Sequence, residues 1–392
     1  MASQTQPLTS SSAPPNPQGF LRRHAVKLVA SAVITCLVLY TVHKGGLKLL
    51  PEATDFRGVR WWAVPVYLPM LAAMTWFRSV RWRFLLRSIA EVPKKHLLAA
   101  SGVGFLAILV LPFRIGEIVR PYMVRTPPNE RRPGERTITL TAATGSIVAE
   151  RVIDFLYVSI VLAVALVFVP TVHPLPDRVV GIPVSVHHVR MSGYAMLVVS
   201  LSVFVTVTIF YFARSWAQKM TLTIFGKVSR NLAQRIAGLF AKLADGLHVF
   251  GRGKDAFWFF VETTLYWGSN ALGMWFLTWG CGVRHGDGSA ATFGEACGLM
   301  GMLGCAVLIP APPGLLGVFQ AGIYAGMTMY YPTDVVIGPG AAYVFLLYIV
   351  QVVLTFLMGS WGLWYEGGRR GLRGGWRALE EAEGISIARA DA

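Results

Sequence analysis

The fold is decided by one stretch, Leu111-Pro-Phe-Arg-Ile-Gly-Glu-Ile-Val-Arg-Pro121, in which a proline and three charged residues follow an apolar run. That run, from Leu97 to Val110, is shorter than the roughly 20 apolar residues of a membrane-spanning helix. Proline cannot continue the hydrogen-bond ladder of a helix, and it disfavours helical geometry at the residue before it. The stretch therefore predicts a helix that enters the membrane, breaks near Pro112 and returns as a half-helix. Together the two arms form a re-entrant hairpin.

The charges on this break indicate where function lies. At helical spacing Arg114, Glu117 and Pro121 share one face, with Arg120 beside them. Irregular, charged backbone at membrane depth is tolerated only where it is buried in protein or lines a polar cavity. We therefore expect the functional site at this hairpin.

Composition places the whole chain in a membrane. Of 392 residues, 54% are hydrophobic and only 14% are charged, and several apolar stretches reach spanning length. The excess of 36 basic over 20 acidic residues is typical of positive loops on the cytoplasmic side, and no nucleic-acid-binding motif accompanies it. We therefore expect an all-α polytopic integral membrane protein that binds no nucleic acid.

The chain divides into a tail, a membrane domain and a second tail. Residues 1–20 are rich in Ser, Pro, Thr and Gln and are predicted to be disordered. The membrane domain covers 21–366, within which 213–255 form a basic, amphipathic cytoplasmic segment. Residues 367–392 form a C-terminal tail. Six spans are predicted: Ala25–Val42, a span opening at Trp61, Thr137–Val169, Tyr194–Phe212, Ala256–Gly282 and Ala341–Tyr365.

Basic clusters orient these spans. Arginines that include Arg78, Arg81, Arg83 and Arg87 follow the second span, and a further cluster lies at 125–136. The charge rule puts both loops, and both termini, in the cytoplasm of a plasma (inner) membrane protein. The first hairpin then enters and leaves on the cytoplasmic side.

A second break interrupts the apolar run that begins at Thr292. It reads Pro310-Ala-Pro-Pro-Gly-Leu-Leu-Gly-Val-Phe-Gln320, and neither flanking loop is basic in the way the cytoplasmic loops are. We therefore expect a second re-entrant hairpin that enters from outside. Interrupted segments in corresponding positions of the two halves are typical of inverted repeats with a binding site between them.

The third span carries three charged residues, Glu150, Arg151 and Asp154. Each would cost about 3 kcal/mol at the centre of a bilayer, so they are expected to face protein or water. Glu150 and Asp154 are four residues apart and share one helical face, which Thr139, Ala143 and Ser146 extend.

These features favour recognition of an anion. Half-helices that start near Pro112 and Gly317 present backbone N–H groups and positive dipole ends, which attract phosphate. The same charged side chains have a second interpretation, an internal ion-pair network that holds the hairpin against the third span. The candidate residues for binding a lipid headgroup are Arg114, Glu117, Arg120, Glu150, Arg151, Asp154, Gly314, Gly317 and Gln320.

Other site types lack support in the sequence. No P-loop and no hydrolase or zinc motif is found. The histidines His173, His187 and His188 are predicted to lie in one loop, but no ligand set accompanies them. We therefore expect no cofactor, no metal site and no enzymatic activity.

Four blocks resemble one family of membrane proteins. They are Arg81-Trp-Arg-Phe-Leu-Leu86, the first break, Glu150-Arg-Val-Ile-Asp154 and the second break. Their order and spacing resemble the flippase-like family, named for the transmembrane region of lysylphosphatidylglycerol synthases. The resemblance implies a lipid translocase fold with the first break and the Glu150 block near the lipid path.

This chain departs from the family pattern in two ways. The full synthases add a soluble aminoacyl-transferase domain, for which this chain has no room, so we expect no synthesis of aminoacylated lipid. The second break of the family usually continues Gly-Gly-x-Gly-x-x-Glu, whereas Pro313, Gly314 and Gln320 stand here. Without that acid, a proton relay or a cation-binding site at this break is less well supported.

The sequence therefore predicts a flippase that moves a phospholipid, or a lipid-linked anionic headgroup, between leaflets. Its partners would be membrane lipids, with a homo-oligomer or a lipid-synthesis enzyme as further possibilities. One alternative is a membrane enzyme that acts on a polyprenyl-phosphate or phospholipid substrate, with Glu117 or Asp154 as the base. Another is an accessory subunit of a lipid-modifying system.

Overall fold

The computed structural model describes residues 48–87, 89–111, 116–126, 136–172, 185–225, 253–307 and 313–370, with a few isolated positions elsewhere. Within these ranges the regular elements are helices, and no strand is formed. The α-helices are α1 (Ala63–Val80), α2 (Trp82–Leu86), α3 (Lys94–Val110), α4 (Gly116–Val124), α5 (Leu140–Phe168), α6 (Val186–Phe212), α7 (Arg214–Phe225), α8 (Gly253–Gly280), α9 (Phe293–Ala306), α10 (Val318–Met327), α11 (Thr333–Ile337) and α12 (Pro339–Arg370).

Some predictions fall outside the described residues. They concern the tail at 1–20, nearly all of the first span, Arg114 at the first break, most of the stretch from 226 to 252, and the tail beyond 370. The basic segment predicted at 213–255 begins as α7, which lies within the described part.

The first predicted hairpin consists of α3 and α4, which pack against each other in opposite directions. Small residues let the two arms approach closely, since a Cβ on Gly104 would meet the side chain of Arg120. A Cβ on Gly116 would likewise meet the backbone of Ala107 and Ile108. Two helix backbones can be this close only where at least one arm carries no side chain.

The second hairpin has the same construction. Helices α9 and α10 pack in opposite directions, with Gly322 against Ala306 and Gly326 against Leu299. Gly317, the N-cap of α10, has φ of 83°, a left-handed conformation that glycine adopts without strain. The second break therefore ends where the sequence predicted, and an apolar helix follows it.

The two halves of the chain pack reciprocally. Helix α1, which precedes the first hairpin, lies antiparallel to α8, which precedes the second. Helix α3 of the first hairpin packs on α12, and α9 of the second hairpin packs on α5. Both contacts are antiparallel and involve small residues, with Gly102 against Met358 and Gly301 against Leu162. An inverted repeat would produce this arrangement, in which each hairpin packs on a helix of the other half of the chain.

In the described part of the chain, three helices are long and apolar enough to cross a membrane. They are α5, α12 and the part of α6 from Val186 to Thr206. The number of six spans stays a prediction.

Helix α6 begins at Val186, earlier than the predicted Tyr194, because the Ser185 side chain accepts a hydrogen bond from the backbone N–H of His187 and caps the helix.

This earlier start corrects the position of two histidines. His187 and His188 belong to the first turn of α6, whereas the sequence placed them in a loop, and His173 lies outside the described residues. Across the ranges that the structure describes, no group of three His, Cys, Asp or Glu side chains is placed to hold a metal ion.

We expect Gly116→Ala to separate the arms of the first hairpin, because the new methyl group would overlap with backbone atoms of α3 that cannot rotate away. Overpacking of this kind costs about 1–3 kcal/mol. Thermal unfolding of the purified protein in detergent measures the loss. Gly145→Ala is the matched control, because nothing lies within 4 Å of the position its Cβ would take. Equal unfolding temperatures for the two variants would contradict this close approach.

Candidate functional site

The charged residues predicted on α4 and α5 meet inside the protein. Glu150 is fully buried, and Arg120 and Asp154 are only 2% and 5% exposed. Ala143 and Ser146 are buried on the same face of α5, as their spacing indicated, whereas Thr139, the N-cap of the helix, is exposed. The predicted face of the third span is therefore buried from Ala143 to Asp154 but not at its Thr139 end.

Arg81 is the centre of this cluster, a position that the sequence did not predict. It was assigned to a basic loop, yet its side chain is fully buried where the chain turns from α1 to α2. Its Nη2 donates to Asp154 Oδ2 at 2.6 Å and to Glu150 Oε1 at 3.3 Å. Its Nη1 donates to Thr263 Oγ1 at 2.9 Å. The guanidinium is buried because two carboxylates on α5 compensate its charge.

Two further arginines complete the network around Glu150. Arg151 Nη2 donates to Glu150 Oε1 at 2.6 Å, and Arg120 Nη1 donates to the same oxygen at 3.4 Å. Arg151 Nη1 also lies 3.6 Å from Asp154 Oδ2. The network joins the first hairpin to α5, and it contains the ion pairs that the second interpretation expected among Arg120, Glu150, Arg151 and Asp154. Their role in binding a headgroup stays a prediction.

Aromatic rings surround the guanidinium groups. The Arg120 Cζ lies 4.8 Å from the ring centroid of Trp82, whose Nε1 donates to Ser146 Oγ at 2.9 Å. The Arg81 Cζ lies 4.8 Å from the ring of Tyr266. Stacking on rings covers the faces of a guanidinium and leaves the N–H groups along its edge available to oxygen atoms.

A cavity of about 230 Å³ adjoins this cluster. It lies between the two hairpins, because α3 supplies Phe105 and Leu109 to its wall, whereas the second hairpin supplies Leu303 and Gly314. Helices α1, α5, α8 and α12 supply the other walls. Among its described lining residues only Arg78 and Arg151 are charged, and none is acidic. The wall is therefore electropositive and otherwise apolar or neutral.

The cluster carries more positive than negative charge. Arg78, Arg81, Arg120 and Arg151 face Glu150 and Asp154, and Glu117 on α4 interacts electrostatically with Arg151. These seven described side chains leave an excess of one positive charge. Several of their polar atoms, including Arg120 Nε and Nη2, are buried with no hydrogen-bond partner in the part that the structure describes. Such groups are costly unless a ligand or water meets them.

The residues predicted on the second hairpin have different roles. Gly314 lines the cavity, and its carbonyl oxygen accepts a hydrogen bond from the Tyr348 hydroxyl at 3.0 Å. Gln320, in contrast, is buried, and its Oε1 accepts from the backbone N–H of Gly317 at 2.7 Å. This bond caps α10 and occupies one of the backbone N–H groups that were predicted to attract an anion. Gln320 and Gly317 therefore form a helix cap, and of the three residues Gly314 alone reaches the cavity wall.

Arg78 and Arg81 were not among the predicted site residues, because the charge rule groups arginines at the end of a span with the cytoplasmic loop. One signal was available: the two are three residues apart at the end of an apolar helix, so they share its face. Both arginines approach the ring of Tyr266 on α8, and no sequence pattern identified this tyrosine as a site residue.

We expect Arg81→Gln to lower stability strongly, because it leaves buried carboxylates of α5 without their main partner. Breaking a buried ion pair from one side costs about 3–5 kcal/mol. Arg87→Gln is the control, since Arg87 is 46% exposed where it pairs with Asp255. Removing an exposed pair costs about 0–1 kcal/mol. Thermal unfolding in detergent compares them, and a similar loss for both would refute the central role of Arg81.

Comparison with known proteins agrees with the resemblance in the sequence. The model of the family described as "Lysylphosphatidylglycerol synthase TM region" matches residues 25–359, which is most of the chain. The chain therefore belongs to this family and is a membrane protein. No curated protein and no solved structure matches it.

Proposed function

We propose that this family member is a lipid translocase, which moves a phospholipid or another lipid-linked anionic headgroup from one leaflet to the other. The observation that carries the proposal is the electropositive cavity between the two hairpins, with Arg78 and Arg151 in its wall. A headgroup in this cavity would be shielded from the bilayer, while its acyl chains remain among the lipids.

The reciprocal packing of the two halves supports transport. Helices α3 and α9, the first arms of the hairpins, each pack on a long apolar helix of the other half. In transporters built from inverted repeats, one repeat moves against the other around a fixed site and exposes it to each side in turn. The cavity lies where such a site is expected, between the two hairpins.

The site favours binding over covalent catalysis. A general base needs a carboxylate that is free to take a proton. Asp154, one of the two bases considered from the sequence, accepts a hydrogen bond from Arg81, and Glu117 interacts electrostatically with Arg151. We accordingly propose a transporter in the plasma (inner) membrane, with both termini cytoplasmic and lipids as its partners.

Leaflet exchange in proteoliposomes tests this function. Fluorescent anionic, zwitterionic and polyprenyl-phosphate lipids are placed in one leaflet, and a membrane-impermeant quencher reports their transfer. We expect exchange of anionic lipids by the wild type and a loss of about tenfold or more for Arg151→Gln, because a charge-assisted hydrogen bond contributes about 1.5–3 kcal/mol.

Arg87→Gln is the control, because Arg87 does not line the cavity. Its exchange rate should equal that of the wild type. Correctly folded protein that exchanges no lipid would contradict the proposal and favour an enzyme or an accessory subunit. In that case, copurification with a lipid-synthesis enzyme would distinguish the accessory subunit.

A further inference from the structure

We infer that the cavity binds the phosphate of a lipid whose headgroup carries no positive charge, and that Arg78 is the residue that receives it. The inference rests on the proposed function and narrows its substrate class. It follows from three features of the site: an arginine without a carboxylate partner, a second arginine nearby, and a lining without acids.

Arg78 differs from the other arginines of the cluster. Arg81, Arg120 and Arg151 each contact Glu150. Arg78 makes no hydrogen bond and no ion pair within the described part of the chain, although it lies at the end of an apolar helix. Its Cζ instead stacks 4.2 Å from the ring centroid of Phe105. An arginine that packs on rings, with carboxylates near it but none bonded to it, has a charge that a bound anion would neutralise.

A phosphate fits between Arg78 and Arg151. Both side chains line the cavity, and they repel each other electrostatically. An anion between them would turn this repulsion into two attractions. The edge of a planar guanidinium matches two phosphate oxygens, so Arg78 can donate two parallel hydrogen bonds. Arg151 keeps its Nε unpaired beside its contacts with Glu150 and Asp154.

A cationic headgroup finds no partner in the same cavity. No described lining residue is acidic, and Glu150 and Asp154 lie outside the lining, each paired with arginines through one oxygen. An ammonium group there would be buried without a carboxylate, which is strongly unfavourable. The neutral groups of Asn270, Gln351 and Thr355 can instead meet hydroxyl groups of an uncharged headgroup. The cavity should therefore bind phosphatidate or phosphatidylglycerol and exclude aminoacylated lipid.

Equilibrium binding of radiolabelled dioctanoyl phosphatidylglycerol to the full-length protein in detergent tests the inference. Unlabelled phosphatidylglycerol should compete at least about tenfold better than lysyl-phosphatidylglycerol or phosphatidylcholine. Arg78→Gln should weaken binding by about tenfold or more, the equivalent of one charge-assisted hydrogen bond. Arg87→Gln, outside the cavity, should bind like the wild type.

A second variant tests whether the charge of the cavity wall decides which headgroup binds. Gln351→Glu places a carboxylate of nearly the same shape in the cavity wall, so it should weaken phosphatidylglycerol binding and strengthen lysyl-phosphatidylglycerol binding. Inorganic phosphate is a further competitor. If it displaces the lipid at equal concentration, the ligand is free phosphate, and the lipid assignment is wrong. Equal competition by cationic and anionic lipids, or unchanged binding in a folded Arg78→Gln variant, would overturn the inference.

These outcomes separate the inference from the function on which it rests. Lipid binding that depends on Arg78, without any leaflet exchange, would retain the site and reject the translocase. Exchange that is equally fast for cationic lipid and indifferent to Arg78→Gln would retain the translocase and reject the site.

Discussion

The arrangement of the helices depends on the hydrogen bonds of one buried side chain, Arg81. Its guanidinium joins the junction of α1 and α2 to Glu150 and Asp154 on α5 and to Thr263 on α8. A buried charge is tolerated only with partners of good geometry, so these elements cannot separate without exposing unpaired charges to a medium of low dielectric constant. The same constraint draws Arg120, and with it the first hairpin, towards Glu150.

Close backbone contact complements this electrostatic constraint. Glycines in both hairpins, among them Gly116 and Gly322, let antiparallel arms pack with little side-chain volume between them. Each hairpin then packs on a helix of the other half of the chain. Because both hairpins contribute to its wall, the cavity combines an apolar lining with an electropositive part supplied by Arg78 and Arg151. Such a combination suits a lipid whose polar end is a phosphate.

Local patterns in the sequence predicted the hairpins and the buried face of α5, because proline, glycine and helical spacing act over a few residues. They did not predict the position of Arg81, whose carboxylate partners lie 69 and 73 residues further along the chain. Charge counting treats an arginine at the end of an apolar run as part of a loop, and only tertiary packing brings those acids to it. Gln320 has a structural role that its position also allows. It lies three residues after Gly317, where a capping side chain is expected, and its Oε1 accepts a hydrogen bond from the backbone N–H of Gly317.

The most direct test of the central claim is an experimental structure of the protein determined by cryo-electron microscopy with dioctanoyl phosphatidylglycerol bound. We expect density for the phosphate in the cavity between the hairpins, within hydrogen-bonding distance of Arg78 and Arg151. Arg81 should keep its bonds to Glu150 and Asp154. Lipid density only on the outer surface of the bundle, with the cavity closed around Arg78, would contradict this binding site.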